Sequence, residues 1–199
     1  MQPDEGWRDQ RFYVGVMLGT MTGGTPLGSI ENVFFRSSYG MDTDSMWGLR
    51  AGLTFAPRFD VEIEYGRSSP GINAILTDLA GQGKTEFAFA DLDLSYVMGV
   101  VNYSLVERSR RIVPVLSVGY GSVGMSSTAS EIAGSRQMGL VFGGGLRVRV
   151  ADKLGVRADV RGLRTGFGPK QEEGQLPSIF RGAFNATNLY WTAGFEFRF

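Results

Sequence analysis

At 199 residues, with Lys+Arg and Asp+Glu balanced at 20 each, the chain has the size of one domain and no net charge to draw it to nucleic acid. Cysteine and histidine are both absent, which removes disulfides, thiolate metal sites and the commonest general base and metal ligand. Mean hydropathy is near neutral and no apolar run reaches the roughly 18 residues a membrane helix needs, so any membrane crossing falls to β-strands.

The first residues, Met1-Gln-Pro-Asp-Glu-Gly-Trp7, lack the basic start and apolar core of a signal peptide. Residues 1–9 are expected to be the N-terminal segment of a mature, exported chain. Phe12, Val14, Val16 and Leu18 alternate with Tyr13, Gly15, Met17 and Gly19, the period of a strand near 10–20. Residues 21–44 are rich in Gly, Ser, Thr and Asp with no sustained period and read as a long loop. Trp47, Leu49, Ala51, Leu53 and Phe55 form one face of a second strand, with Gly48, Arg50, Gly52 and Thr54 on the other. After the turn Ala56-Pro-Arg58, Val61, Ile63 and Tyr65 oppose Glu62, Glu64 and Gly66 in a third strand.

A second long loop is expected over 67–85, and a fourth strand within 86–103. There Leu92, Leu94, Tyr96 and Met98 read as the apolar face, opposite Asp91, Asp93, Ser95 and Gly99. Toward Val100–Tyr103 both faces turn apolar, which leaves the phase open and admits a bulge. A charged turn over 105–110 leads to a fifth strand, Ile112 to Gly121, with Pro114 near its start. A third loop over 124–136 precedes a sixth strand, in which Met138, Leu140, Phe142, Leu146 and Val148 oppose Gly139, Gly143, Gly145, Arg147 and Arg149. Ala151-Asp-Lys153 turns into a seventh strand, Val156, Ala158 and Val160 against Arg157, Asp159 and Arg161. A fourth loop over 164–187 leads to the closing strand 188–199, with Trp191, Ala193, Phe195, Phe197 and Phe199 on one face and Tyr190, Thr192, Gly194, Glu196 and Arg198 on the other.

Eight strands whose connections alternate long and short make an all-β, antiparallel up-and-down barrel. Alternation alone does not say which face is inside, because soluble and membrane barrels are inverted relative to each other. The polar faces mix glycines with both signs of charge, which suits a narrow lumen packed with ion pairs. That lumen network is expected to hold Arg50, Glu62, Glu64, Asp93, Arg147, Arg149, Arg157, Asp159, Arg161, Glu196 and Arg198. The apolar faces carry aromatics toward the strand ends (Phe12, Trp47, Phe55, Tyr65, Tyr120, Trp191, Phe199), as membrane-interface girdles do. These features point to a transmembrane barrel with long external loops and short turns on the opposite side.

The run from Phe142 to Arg161, with its glycines, Asp-containing turn and Arg-x-Asp strand, resembles the penultimate hairpin of small OmpA/OmpX-like outer-membrane barrels. Thr192-Ala-Gly-Phe-Glu-Phe-Arg-Phe199 resembles their C-terminal strand. The resemblance implies residence in the bacterial outer membrane, with the short turns in the periplasm. It also implies that Trp191, Phe195, Phe197 and Phe199 form a signal read by the barrel-assembly machinery. A barrel domain alone is expected over 1–199, without the peptidoglycan-binding domain attached to some members of that family.

Several motifs weigh less than they look. Gly119-Tyr-Gly-Ser-Val-Gly124 spells a dinucleotide-binding pattern, but that chemistry needs a helix to follow, and strand glycines are the better account. The same holds for Gly143-Gly-Gly145 as a phosphate cradle. Glu62 and Glu64 with Asp91 and Asp93 could serve acid–base chemistry if they met in a cleft; salt bridges to lumen arginines fit better, because an eight-stranded barrel is only wide enough for side chains to fill. Barrel enzymes that modify lipid A or cleave peptides generally rely on a histidine, so no catalytic, cofactor or metal site is expected.

Function is read as structural or as surface recognition. Phe34, Phe35, Arg36 and Tyr39 in the first loop and Phe180 and Arg181 in the fourth are the candidate contacts, aromatics beside charges as at protein interfaces. The expected partners are outer-membrane lipid and lipopolysaccharide, the assembly machinery during biogenesis, and an envelope protein bound through the loops. A narrow channel for small solutes is the alternative, and a lipid-modifying enzyme a more remote one.

Overall fold

The computed structural model describes residues 10–22, 28–31, 35–78, 83–127, 135–165 and 187–199. The expected N-terminal segment 1–9 lies outside them. All regular structure among the described residues is strand. The strands are β1 (Phe12–Thr22), β2 (Gly28–Glu31), β3 (Phe35–Met41), β4 (Asp44–Ala56), β5 (Phe59–Ser68), β6 (Gly71–Asp78), β7 (Lys84–Ser104), β8 (Ile112–Ser127), β9 (Ser135–Arg149), β10 (Leu154–Thr165) and β11 (Thr187–Arg198). Eight of them close a ring in the order β7-β5-β4-β1-β11-β10-β9-β8, with β8 returning to β7. Every pairing is antiparallel.

Closure between the first and last strands runs from Tyr13↔Arg198 to Thr22↔Leu189. Phe12 and Phe199 then exchange backbone hydrogen bonds of 3.2 and 3.0 Å, so the ladder continues to the final residue. Closing the ring leaves no edge with unpaired N–H and C=O groups at membrane depth, the condition for a strand to exist in lipid.

Polarity is inverted. On β5, Ile63 is 63% exposed on the outer face while Glu62 and Glu64 on either side are 0% exposed inside. Aromatic belts bracket the outer apolar band. At the short-turn end, Phe12 stacks on Phe199 at 6.1 Å and Phe59 meets Phe55 and Tyr103 at 5.9 and 5.0 Å. Toward the other end, Trp47 packs edge-on against Tyr65 at 5.7 Å. Tyr120 sits nearer mid-height, paired with Gly99.

The fourth barrel strand, β7, departs from expectation. Leu92, Leu94, Tyr96, Met98 and Val100 point into the lumen, and Val97 and Val101 face out. The long-loop half of the lumen is filled by apolar side chains, so on this strand the more apolar face is the inner one. Both ladders that hold 94–103 run without a register shift, and the one irregularity of β7 lies higher, where β6 residues Ile72 and Asn73 oppose Ala90 and Ala88. The bulge admitted near 100–103 is therefore not there.

Two of the expected long loops contain strands. β2 and β3 fall within 21–44 and β6 within 67–85. The upper part of β7 pairs with β6, β6 with β3 and β3 with β2, so a four-stranded sheet projects from one side of the rim. Above the membrane a sheet needs no lipid-facing stripe, so no strict polar–apolar alternation marks it in the sequence. Its base is stitched to the barrel. Asn73 Nδ2 donates to both Asp42 carboxylate oxygens at 2.9 and 2.8 Å, Ser69 N donates to Asp44 Oδ2 at 2.8 Å, and Ser69 Oγ donates to Asp93 Oδ1 at 2.6 Å.

The chain has no cysteine, so single-cysteine variants can report which way β7 faces. A fluorophore on Val97→Cys should be quenched strongly by nitroxide-bearing lipid in vesicles, and one on Met98→Cys weakly. The reverse order would restore the opposite phase.

Candidate functional site

The lumen is built in two tiers. Toward the short-turn end, Arg50, Arg108, Arg147, Arg157, Arg161 and Arg198 are buried with Asp60, Glu62, Glu64, Asp159 and Glu196. The buried charges of β4, β5, β9, β10 and β11 all fall on the inward-facing parity of their strands, so the pleat alone turns them into the lumen. Arg108 is the exception: it folds in from the β7–β8 turn.

Arg157 is the hub. It reaches Glu62 at 2.8 Å and Glu196 at 3.2 Å through Nη1, and Asp159 at 2.9 Å through Nε. Its Nη2 donates to Asn102 Oδ1 at 3.2 Å, and that oxygen also accepts from Ser117 Oγ at 2.6 Å. Arg50 binds Asp159 from across the lumen at 2.9 Å. Arg161 pairs with Glu64 and reaches Asp159 and Glu62 at 3.4 and 3.5 Å. Asp60 sits between Arg147 and Arg108 and accepts from Thr54 Oγ1 at 2.8 Å. Arg198 donates to Glu196 at 3.3 Å, with its guanidinium 4.7 Å from the centre of the Tyr13 ring.

Tyrosine hydroxyls add donors to two of these carboxylates. Tyr13 donates to Glu62 Oε2 at 2.8 Å; Tyr96 and Tyr190 donate to Glu64 Oε1 at 2.8 and 3.4 Å. The Tyr13 ring lies across Gly52, its cross-strand neighbour, where a Cβ would come within 2.2 Å of it.

Above this layer, Met17, Met21, Met46, Leu92, Leu94, Tyr96, Met98, Val100, Val123, Met125, Val141, Leu163 and Tyr190 form one packed apolar cluster. Five of the chain's eight methionines lie in it. Unbranched, polarizable methionine suits the irregular space inside a tapering barrel.

Of the expected lumen residues, Arg50, Glu62, Glu64, Arg147, Arg157, Asp159, Arg161, Glu196 and Arg198 are brought together, and Arg149 lies half-buried at the short-turn end of β9. Asp93 is not in the lumen. It lies on the outer face above the Trp47–Tyr65 contact, 3.3 Å from Arg67 with both side chains 49% exposed. The in-facing apolar residues of β7 put it there. Asp91 is outside as well, so the four carboxylates weighed as an acid–base group do not meet.

Asp60 and Arg108 went unrecognised. Asp60 stands two residues before Glu62, a signal the period-two pattern did carry. Arg108 had none, being in a turn.

Gly119 and Gly121 lie within β8, paired to β7 and β9, with no helix opening behind them. Gly145 is glycine because a Cβ there would lie 2.5 Å from Asp159 Oδ1. Trp191, Phe195 and Phe197 on β11 and Phe199 just after it all face outward, 48–56% exposed. Phe35, Arg36 and Tyr39 fall on β3, opposite Asp78, Thr77 and Ala74 of β6. Phe34, Phe180 and Arg181 lie outside the described residues.

Each buried carboxylate faces at least one guanidinium, and the charged layer spans the lumen. The arrangement opposes ion passage: an ion crossing it would have to break pairs formed where water is excluded. An antiparallel eight-stranded barrel, apolar outside and ionic inside, is a transmembrane barrel of the bacterial outer membrane, its long connections external and its short turns periplasmic. The chain belongs to the outer membrane protein beta-barrel domain family, whose model matches residues 1–199.

Among solved structures, it is similar to Neisserial surface protein A (14% identity, 94% of this chain and 97% of that one, TM-score 0.61). It is also similar to OprG from Pseudomonas aeruginosa (13% identity, 96% of each chain, TM-score 0.64). A third is the outer membrane protein AlkL (15% identity, 96% of this chain and 90% of that one, TM-score 0.56). At these identities the likeness is one of fold. No curated protein matches the chain.

Arg161→Gln leaves Glu64 without its guanidinium and should cost about 3–5 kcal/mol. Tyr96→Phe removes one hydrogen bond to the same carboxylate and should cost about 1.5–3 kcal/mol. Urea unfolding in lipid vesicles, followed by tryptophan fluorescence, measures both.

Proposed function

We propose that the protein is a surface-recognition barrel, in which the membrane-embedded part is a sealed support and the external sheet with its neighbouring loops makes the contacts. The observation that carries this reading is the continuation of the ladder above the rim. Building β2, β3, β6 and the upper part of β7 into one sheet, tied to the barrel through Asp42, Asp44 and Asp93, fixes a surface in place at the cost of ordering about 27 residues, on the order of 1–2 kcal/mol each for the backbone alone. A sealed lumen gives no transport reason for that outlay. Binding surfaces are commonly loops and edges held by a rigid scaffold, as here. The partner class is an envelope protein or lipopolysaccharide, and the role is binding rather than catalysis.

Photo-crosslinking residues at the exposed positions Glu86 and Ala88 on the upper part of β7 should give discrete adducts in cells. The same residue at lipid-facing Ile63 should give lipid adducts only. Replacing 28–40 by a short glycine linker should abolish the discrete adducts and leave heat-modifiable gel migration intact. Adducts that survive the replacement, or a phenotype lost only in lumen variants of unchanged stability, would contradict the reading.

A further inference from the structure

At the periplasmic end a pocket of about 310 Å3 opens between Arg11 before β1, the β4–β5 turn and the β7–β8 turn. This is near the lower end of the volumes that hold small ligands. Arg11, Arg58 and Arg108 line it, with Glu107 as its one carboxylate and Phe55 as its aromatic wall. The frame is fixed by backbone bonds: Thr54 N to Arg11 O at 2.7 Å, Ser104 N to Arg58 O at 2.8 Å and Arg110 N to Glu107 O at 3.1 Å.

The pocket is electropositive for two independent reasons. Inside the barrel, six buried arginines face five buried carboxylates, and Arg108 shares Asp60 with Arg147. Arg108 Nε is buried there without a hydrogen-bond partner among the described residues. At the mouth, the exposed Arg11 and Arg58 side chains form no ion pair among the described residues, and the Arg58 guanidinium donates to the neutral Tyr103 hydroxyl at 3.5 Å. Two exposed arginines thus line a concave space whose inner wall carries a third, Arg108.

The location selects the ligand. Phe55 is 58% exposed and belongs to the periplasmic aromatic belt through Phe59, and Arg11 directly precedes lipid-facing Phe12. The pocket therefore opens along the line where the lipid-facing wall meets the periplasm, at the depth of inner-leaflet headgroups. Guanidinium pairs recognise phosphate oxygens by charge-assisted hydrogen bonds, and an aromatic wall beside them suits the glycerol and first methylenes of an acyl chain. We propose that this pocket binds the headgroup phosphate of an anionic phospholipid from the inner leaflet of the outer membrane. The assignment is independent of what the external sheet recognises.

Native mass spectrometry of the protein refolded in neutral detergent tests it, with phosphatidylglycerol and phosphatidylcholine of identical chains as probes. Wild-type protein should retain phosphatidylglycerol in preference to phosphatidylcholine. The double variant Arg11→Gln/Arg58→Gln should bind phosphatidylglycerol about thirtyfold more weakly, with heat-modifiable migration unchanged. Equal retention by the double variant would overturn the site. A wild-type protein without preference between the two lipids would overturn it whether or not the variant refolds. Displacement of the lipid by inorganic phosphate at equal concentration would overturn the lipid assignment in favour of a free-anion site.

Discussion

Five carboxylates and six arginines are buried in the lumen of a barrel whose outer wall faces lipid, and keeping each acid beside a guanidinium is the constraint that orders the rest of the interior. Isolated, each such charge would cost several kcal/mol to take out of water. The chain meets the constraint by interleaving strands. In the lumen β5 contributes only acids, β9 only arginines, and β10 and β11 one or more of each, so charges find partners on their own strand, on a neighbour and across the lumen. Tyr13, Tyr96 and Tyr190 add hydroxyl donors to Glu62 and Glu64 beside the guanidiniums. The layer ties five strands together through their side chains, in addition to the backbone ladder.

The consequences separate by height. At the periplasmic mouth the cationic excess of the layer meets exposed arginines. At mid-height the pairs close the path. Toward the outside the lumen becomes apolar and methionine-rich, and above the rim the ladder leaves the barrel altogether as a projecting sheet. A barrel of this width has room for side chains and little else. Capacity for specific contact is then concentrated at the two ends, outside the lumen.

Most of the wall was legible in the sequence, because lipid outside and ion pairs inside impose a strict period of two. β1, β4, β5 and β8 to β11 show it openly. β7 was misphased by the same logic that worked elsewhere: Leu92 to Met98 look like a lipid-facing stripe, but the apolar upper lumen takes them. The projecting strands look like loops in the sequence because a sheet outside the membrane needs no lipid-facing stripe, and 21–44 shows no sustained period. Arg108 was illegible for a different reason. It enters the network from a turn, where no periodicity says which way a side chain points. Asp60 was legible and overlooked, since it continues the Glu62–Glu64 series by one more step of two.

The central claim is that the buried ionic layer seals the barrel. Planar-bilayer recording of the refolded protein tests it most directly. A sealed lumen predicts no stable conductance at about 100 mV, where each elementary charge gains only about 2.3 kcal/mol from the field, less than breaking a buried pair costs. A steady ohmic current from wild-type protein under those conditions would contradict it.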